Sequence, residues 1–273
     1  MSIWIITVKF ILIYPFCQYV RICQLVRTTG SVVERFVHIE EAVGSNPTSS
    51  TRMKKILFIV TLIILVSVPI FTIFKAFDPS FVLEYPTRIT NFIERGLGLI
   101  VFNLLFVQII LGAFVEKFAK KLGQWVFKFH TFNGIFVYLL VFLHAFSYVM
   151  INYFSGHGMD PYVAFINVCL ICKEPANYYL TIGRISFWIL TIGVFAAIFR
   201  KYNSWFSRNW RNLHIVNYIV FIFVAIHGFL LGTDFKIMPF FALAIIETIC
   251  VLLILVFVKI PQLQKSINNW LRS

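Results

Sequence analysis

Apolar residues in this chain come in long runs rather than in the alternating or amphipathic patterns of a water-facing domain. From Met53 onward six runs, at roughly 56–77, 93–115, 126–152, 181–199, 213–232 and 237–258, each approach the length of about 20 apolar residues that a helix needs to cross a hydrocarbon core. Strands of a membrane barrel are about ten residues of alternating character, so the pattern predicts helices, whose backbone bonds are satisfied within each segment. The expected fold is an all-α bundle of six transmembrane helices over residues 53–260, followed by a short tail at 261–273.

Charge in the short connections sets the expected orientation. Lys54 and Lys55 precede the first run, Lys117, Lys120, Lys121 and Lys128 follow the second, Arg200, Lys201, Arg208 and Arg211 follow the fourth, and Lys259, Lys265 and Arg272 close the chain. Alternating spans put all of these on one side, and cations favour the cytoplasmic side, so both termini are expected there. Lys75, Arg88, Arg95, Lys173, Arg184 and Lys236 fall on the other side, several at helix ends.

Composition agrees: 60% of residues are apolar and 13% charged, where a soluble chain carries about 25% charge, and the mean hydropathy is +0.86 with 32 Phe. The formal charge of +13 would suit nucleic acid in a soluble protein; here it marks topology, and the expected partner is a lipid bilayer with no nucleic acid. The expected location is the cell's inner (plasma) membrane. No Gly-rich nucleotide loop follows a strand, and five scattered cysteines do not make a disulfide scaffold.

Residues 1–52 read differently. An apolar stretch, Ile3 to Val20, is interrupted by Lys9 and Pro15, and the following segment is polar without a sustained period. The stretch Val37-His-Ile-Glu-Glu-Ala-Val-Gly-Ser-Asn-Pro-Thr-Ser-Ser-Thr51 resembles the product of translating a bacterial transfer-RNA gene, and Met53-Lys-Lys55 before an apolar run looks like the natural start. The alternative is a weakly inserted anchor with a flexible tether. His38 lies here and is assigned no role.

Four histidines carry the candidate chemistry. His130 and His144 lie in the third run, His214 and His227 in the fifth, and an ionisable residue inside a membrane is costly enough to be a functional candidate by default. The separations are 14 and 13 residues, about 20 Å along each helix. Spans three and five run in the same direction, so His130 and His214 fall near the cytoplasmic ends and His144 and His227 deeper. Neutral imidazole is a good iron ligand, and a haem held by two histidines takes one from each facing helix. Fourteen residues at about 100° return within about 40° of the starting face, but thirteen fall about 140° short of four turns. The fifth span must tilt, unwind locally or use two flanks.

With Trp210-Arg-Asn-Leu-His214, Asn217-Tyr218 and His227-Gly-Phe-Leu-Leu-Gly-Thr-Asp234, together with His130 and His144, the chain resembles the ferric reductase-like transmembrane domain shared by NADPH oxidases and eukaryotic ferric reductases. The resemblance covers residues 53–260. It implies two b-type haems, an inner one on His130 and His214 and an outer one on His144 and His227, with Arg95 beside the outer haem. Complete enzymes of the family continue into a flavin and nicotinamide module. This chain stops at Ser273, so the resemblance implies that FAD or FMN resides on a separate cytoplasmic reductase, with an extracytoplasmic acceptor such as ferric iron or oxygen. The pattern differs from the haem-binding subunit of the methionine sulfoxide reductase system, a relative with fewer haem ligands.

Weaker signals remain. Arg211, in the basic loop 200–211, is a candidate contact for inner-haem propionates or for an acidic reductase, although positive-inside bias with interfacial Trp anchors also accounts for the loop. Phe221 and Phe223, between the two ligands of span five, fit a bridge between haems or ordinary packing. Glu247, mid-way along span six, fits a proton path or a hydrogen bond to Asn103 or Gln108. Cys169-Leu-Ile-Cys172 fits a redox pair or half a metal site, and the apolar surroundings from Val163 to Ile171 favour an interfacial helix against lipid. The functional expectation is transmembrane electron transfer. A transporter using its histidines for metal ions or protons is the alternative.

Overall fold

The computed structural model describes residues 49–261 and Gln264, and among them all regular structure is helical. The reading of the N-terminal extension therefore lies outside the described residues except for Ser49–Arg52, which open the first helix, and that of the tail lies outside except for Pro261 and Gln264. The long helices are α1 (Ser49–Ala76), α2 (Pro86–Leu122), α3 (Trp125–Asn152), α4 (Pro175–Phe199), α5 (Ser204–Ile215), α6 (Asn217–Leu231) and α7 (Phe240–Ile254). Six helical segments are long and apolar enough to cross a membrane, and α5 with α6 forms the fifth of them. The protein is an all-α, multi-pass membrane bundle.

Helix α2 is the axis of the bundle. It packs against α1, α3, α6 and α7, and from Leu99 to Val107 all but Ile100 is buried. Its 37 residues extend about 55 Å at 1.5 Å per residue, well beyond the apolar run at 93–115. Hydropathy stops at Arg95 and Glu116, whereas the helix continues through those charges, because long charged side chains keep good helix propensity and reach water. Pro86 starts it, where a missing N–H costs nothing, and a kink at Phe114 (φ −127°, ψ 24°) bends its last turns. At the α1–α2 turn the Ser80 hydroxyl and amide bond to Asp78 and hold its carboxyl below the usual range.

Helix α3 divides cleanly into two faces. Phe132, Ile135, Phe136, Leu139, Phe142 and Leu143 are exposed at helical spacing and form the lipid face. Val126, Asn133, Val137 and Ser147 are buried on the opposite stripe, and His130 and His144 share that side. Helix α3 packs chiefly on α2, and α6 chiefly on α4, whereas α3 and α6 have little backbone packing against each other.

The fifth span is interrupted at a single residue, Val216, whose dihedrals stay helical (φ −58°, ψ −22°). Helix α5 ends at Ile215, Val216 occupies a turn, and the Ile219 amide bonds to the Val216 carbonyl at 2.9 Å as α6 begins. His214 therefore lies on one helix and His227 on another. Asn203 caps α5, its side-chain oxygen accepting the amides of Trp205 and Phe206.

Between α3 and α4 a π turn, Tyr153–His157, prolongs the third span, one short helical turn follows at Tyr162–Phe165, and the chain is irregular from Ile166 to Glu174. This corrects the expectation of an interfacial helix through Ile171. The apolar stretch is pinned down instead by Arg184, buried on α4, whose guanidinium donates to the carbonyls of Val163 and Asn167. Cys169 and Cys172 form a disulfide within that irregular stretch.

Candidate functional site

The four histidines converge two by two. His130 of α3 and His214 of α5 stand with ring centres 6.2 Å apart and planes at 79°. His144 of α3 and His227 of α6 lie close enough to act on each other electrostatically. Among the described residues no group of three or more His, Cys, Asp or Glu side chains gathers around a common point.

The outer pair is built twice by the same rule. His144 Nδ1 bonds to the Glu94 carbonyl at 2.9 Å, and His227 Nδ1 bonds to the Tyr179 carbonyl at 2.8 Å. In each case the ring packs on a glycine four residues beyond that carbonyl. A Cβ on Gly98 would stand 3.1 Å from His144 Cε1, and one on Gly183 only 2.8 Å from His227 Cε1. The α2–α3 hairpin and the α4–α6 hairpin thus present equivalent histidines. A ring that donates its Nδ1–H to a carbonyl keeps Nε2 unprotonated, with the lone pair a metal ligand needs.

Support for the inner pair is more polar. Gln108 of α2 donates to the His130 carbonyl at 3.0 Å and reaches His130 Nε2 at 3.3 Å, while its oxygen accepts from Asn133 at 2.9 Å. His130 Nδ1 is buried and has no protein partner. Gly112 again leaves room for the ring, a Cβ there lying 3.2 Å from His130 Cε1. His214 Nδ1 meets the Asn217 amide at 3.3 Å, and that amide rests on Gly193. The His214 ring also has the Gly193 backbone as a hydrogen-bond partner.

Cations frame the inner pair. Arg200 lies 4.4 Å over the Trp210 ring, which is 6.0 Å from His214, and both inner histidines feel its charge. Arg211 stands exposed, 5.7 Å from the Trp210 ring centre. At the other end Arg95 donates to both carboxylate oxygens of Asp234 and to the Thr233 hydroxyl, and lies 4.5 Å over Phe77. It is next in sequence to the carbonyl that seats His144.

Phe221 is fully buried at mid-membrane and packs at 4.8 Å on Phe102, which also meets Phe235 and Phe240. Glu247 is also fully buried, and neither oxygen has a protein partner. The expected bonds to Asn103 and Gln108 do not form, since Asn103 donates to the Leu65 carbonyl and Gln108 is held by Asn133 and His130.

Sequence reasoning missed Gln108, Gly98, Gly112, Gly183 and Gly193. A signal was there: fourteen residues separate Gly98 from Gly112, as fourteen separate His130 from His144, and ten separate Gly183 from Gly193, as ten separate Asn217 from His227. Antiparallel helices in contact keep such matched intervals.

His130 Nδ1, buried and without a protein partner, is the nitrogen of that ring left free to hold a metal or cofactor, and the inner ring centres stand 6.2 Å apart. Glycines under the rings let the supporting helices approach closely. No known protein family, curated protein or solved structure matches this chain.

Proposed function

We propose that the chain is a dihaem b-type cytochrome that carries electrons across the inner (plasma) membrane. His130 and His214 hold the haem nearer the cytoplasm, and His144 and His227 hold the outer one. The observation that carries this reading is the close facing of His130 and His214 together with the matched carbonyl seats of His144 and His227. A bare cation held by two imidazoles lacks about half of the four ligands a typical zinc site uses, whereas a porphyrin brings its own equatorial nitrogens. This favours a cofactor over the metal-transport alternative.

When bound, haem supplies reversible one-electron chemistry. The protein's own residues orient the ligands: Glu94 and Tyr179 fix the outer imidazoles through their carbonyls, Gln108 and Asn217 engage the inner ones, and Arg200 places positive charge beside the inner pair. The buried Phe102–Phe221 contact supplies apolar bulk along the stretch of α6 between Asn217 and His227. Basic connections after α2 and after α4 support a cytoplasmic position for both termini. The donor is a separate cytoplasmic reductase carrying FAD or FMN. The likeness of the histidine and Trp210–Asp234 patterns to the ferric reductase-like domain supports the same reading.

Haem-to-protein ratios test it. His130→Ala, His214→Ala and the double variant should each lose the same one haem, and His144→Ala, His227→Ala and their double variant the other, because both changes in a pair abolish one site. Full haem content in all four single variants would end this reading. Grouping of His130→Ala with His227→Ala would overturn the pairing.

A further inference from the structure

The connection between α3 and α4 folds back along both helices. Helix α4 has 25 residues, about 37 Å of rise, and ends at Phe199 beside the charged Arg200 and Lys201. Counted back from there, a hydrocarbon core of about 30 Å reaches the neighbourhood of Tyr179. Trp188, eleven residues from Phe199, is therefore close to mid-membrane, and its indole Nε1–H donates to the Phe165 carbonyl at 2.7 Å. Arg184 lies one turn nearer the start of α4, about 7.5 Å inside the core, and donates to the carbonyls of Val163 and Asn167. The Phe165 ring packs on Phe142 of α3 at 5.5 Å and on Phe187 of α4 at 5.2 Å. Phe142 is itself ten residues, about 15 Å, short of the end of α3.

Irregular backbone can lie at that depth only when its polar groups find partners within the protein, since hydrocarbon offers none. This segment meets the condition to an extent that a water-facing loop has no need of. The amides of Ala164 and Phe165 donate to the Pro161 carbonyl, and those of Ile166 and Asn167 to the Tyr162 carbonyl. The Tyr162 amide donates to the Asp160 carboxylate, the Cys169 amide to the Thr181 hydroxyl and the Cys172 amide to the Tyr178 hydroxyl. Three carbonyls beyond these, at Val163, Phe165 and Asn167, are taken by Arg184 and Trp188. An arginine within a span is costly, and here its guanidinium keeps two of those carbonyls satisfied. The side chains match the backbone. No charged residue lies between Asp160 and Lys173. Ile166, Val168, Leu170 and Ile171 are exposed, as Trp188 is on α4.

We propose that residues 162–171 form a re-entrant segment that enters the bilayer against α3 and α4, and that its exposed apolar side chains are a contact surface for lipid acyl chains. Depth decides the occupant. At the level of Trp188 and Arg184 an exposed side chain meets hydrocarbon, and the lipid-facing stripe of α4 passes through the same level, Trp188 being followed by the exposed Ile192 and Phe195. Asp160 on one side and Lys173 with Glu174 on the other mark where the chain enters and leaves water. Arg184 is the tether. It follows Gly183, on which the His227 ring packs, so the tether and the seat of an outer histidine share one turn of α4.

The test uses the full chain in phospholipid nanodiscs, with Cys17, Cys23 and Cys250 replaced by Ser and the Cys169–Cys172 disulfide kept. A nitroxide is attached at Ile166→Cys or, as the aqueous reference, at Glu174→Cys. Its collisions with oxygen, which concentrates in hydrocarbon, and with a polar nickel chelate, which hydrocarbon excludes, are read by power-saturation electron paramagnetic resonance. The ratio of oxygen to nickel accessibility should be about tenfold higher at position 166 than at 174. Arg184→Met, which strips the carbonyls of Val163 and Asn167, should bring the ratio at 166 down towards that at 174. If Arg184→Met fails to fold, the reading at 166 in the chain that keeps Arg184 decides alone. Nickel collisions as frequent at 166 as at 174 put the segment in water and overturn the proposal. A label at 166 that meets neither reagent is covered by protein, which overturns the lipid contact. An unchanged ratio in a folded Arg184→Met variant overturns Arg184 as the tether.

Discussion

A glycine beneath three of the four histidine rings makes the site sensitive to a single methyl group. At Gly183 a Cβ would lie 2.8 Å from His227 Cε1 and 2.9 Å from Nδ1, with the ring already tied to Tyr179. Overpacking of this kind costs about 1–3 kcal/mol when the neighbours cannot yield. Gly183→Ala should therefore release the outer haem and halve the haem-to-protein ratio. Gly96→Ala is the control, because the nearest side-chain atom to its Cβ is Ile73 Cγ1 at 3.8 Å, and it should keep both haems. The histidines themselves were legible in the sequence because an imidazole in an apolar run is chemically conspicuous. Gln108 was not, because one amide in a membrane helix reads as a packing residue until its bonds to His130 and Asn133 are seen.

For the helices, apolar run length announces that a span exists and says little about where it ends. The break at Val216 was visible only as a conflict, an angle of about 140° that a continuous helix could not close. Tertiary packing placed it, with α5 held on the end of α4 while α6 packs along both α4 and α2. Deleting Val216 shifts His227 by about 100° and 1.5 Å relative to His214. Such a deletion should lose one haem and keep the other, read from absorption spectra. Loss of neither would mean that the break has no part in aiming the ligands. The α5 cap gives a milder perturbation: Asn203→Ala costs about 1 kcal/mol of helix stability. It should speed the extraction of the inner haem by apomyoglobin and leave the outer one unchanged.

Across the whole molecule, the Arg95–Asp234 pair ties the start of α2 to the connection between α6 and α7. Asp234 is only 3% exposed, so Arg95→Met leaves a buried carboxylate without its cation and should cost about 3 kcal/mol. Thermal unfolding of the purified protein measures this, and the further change Asp234→Asn should restore part of the loss. A chain beginning at Met53 should retain both haems, since the described residues that touch a histidine pair lie beyond it. Six spans and two histidine pairs were readable from the apolar runs and their spacing. The pseudo-symmetric seats at Glu94–Gly98 and Tyr179–Gly183 were not, because backbone carbonyls leave no trace in side-chain pattern. Each pair also takes one member from either hairpin, which sets a timetable for biogenesis. His130 and His144 leave the ribosome about 84 residues ahead of their partners, so neither site exists until the fifth span has been made. Since His214 precedes His227, the inner pair is complete first, before the outer pair can form.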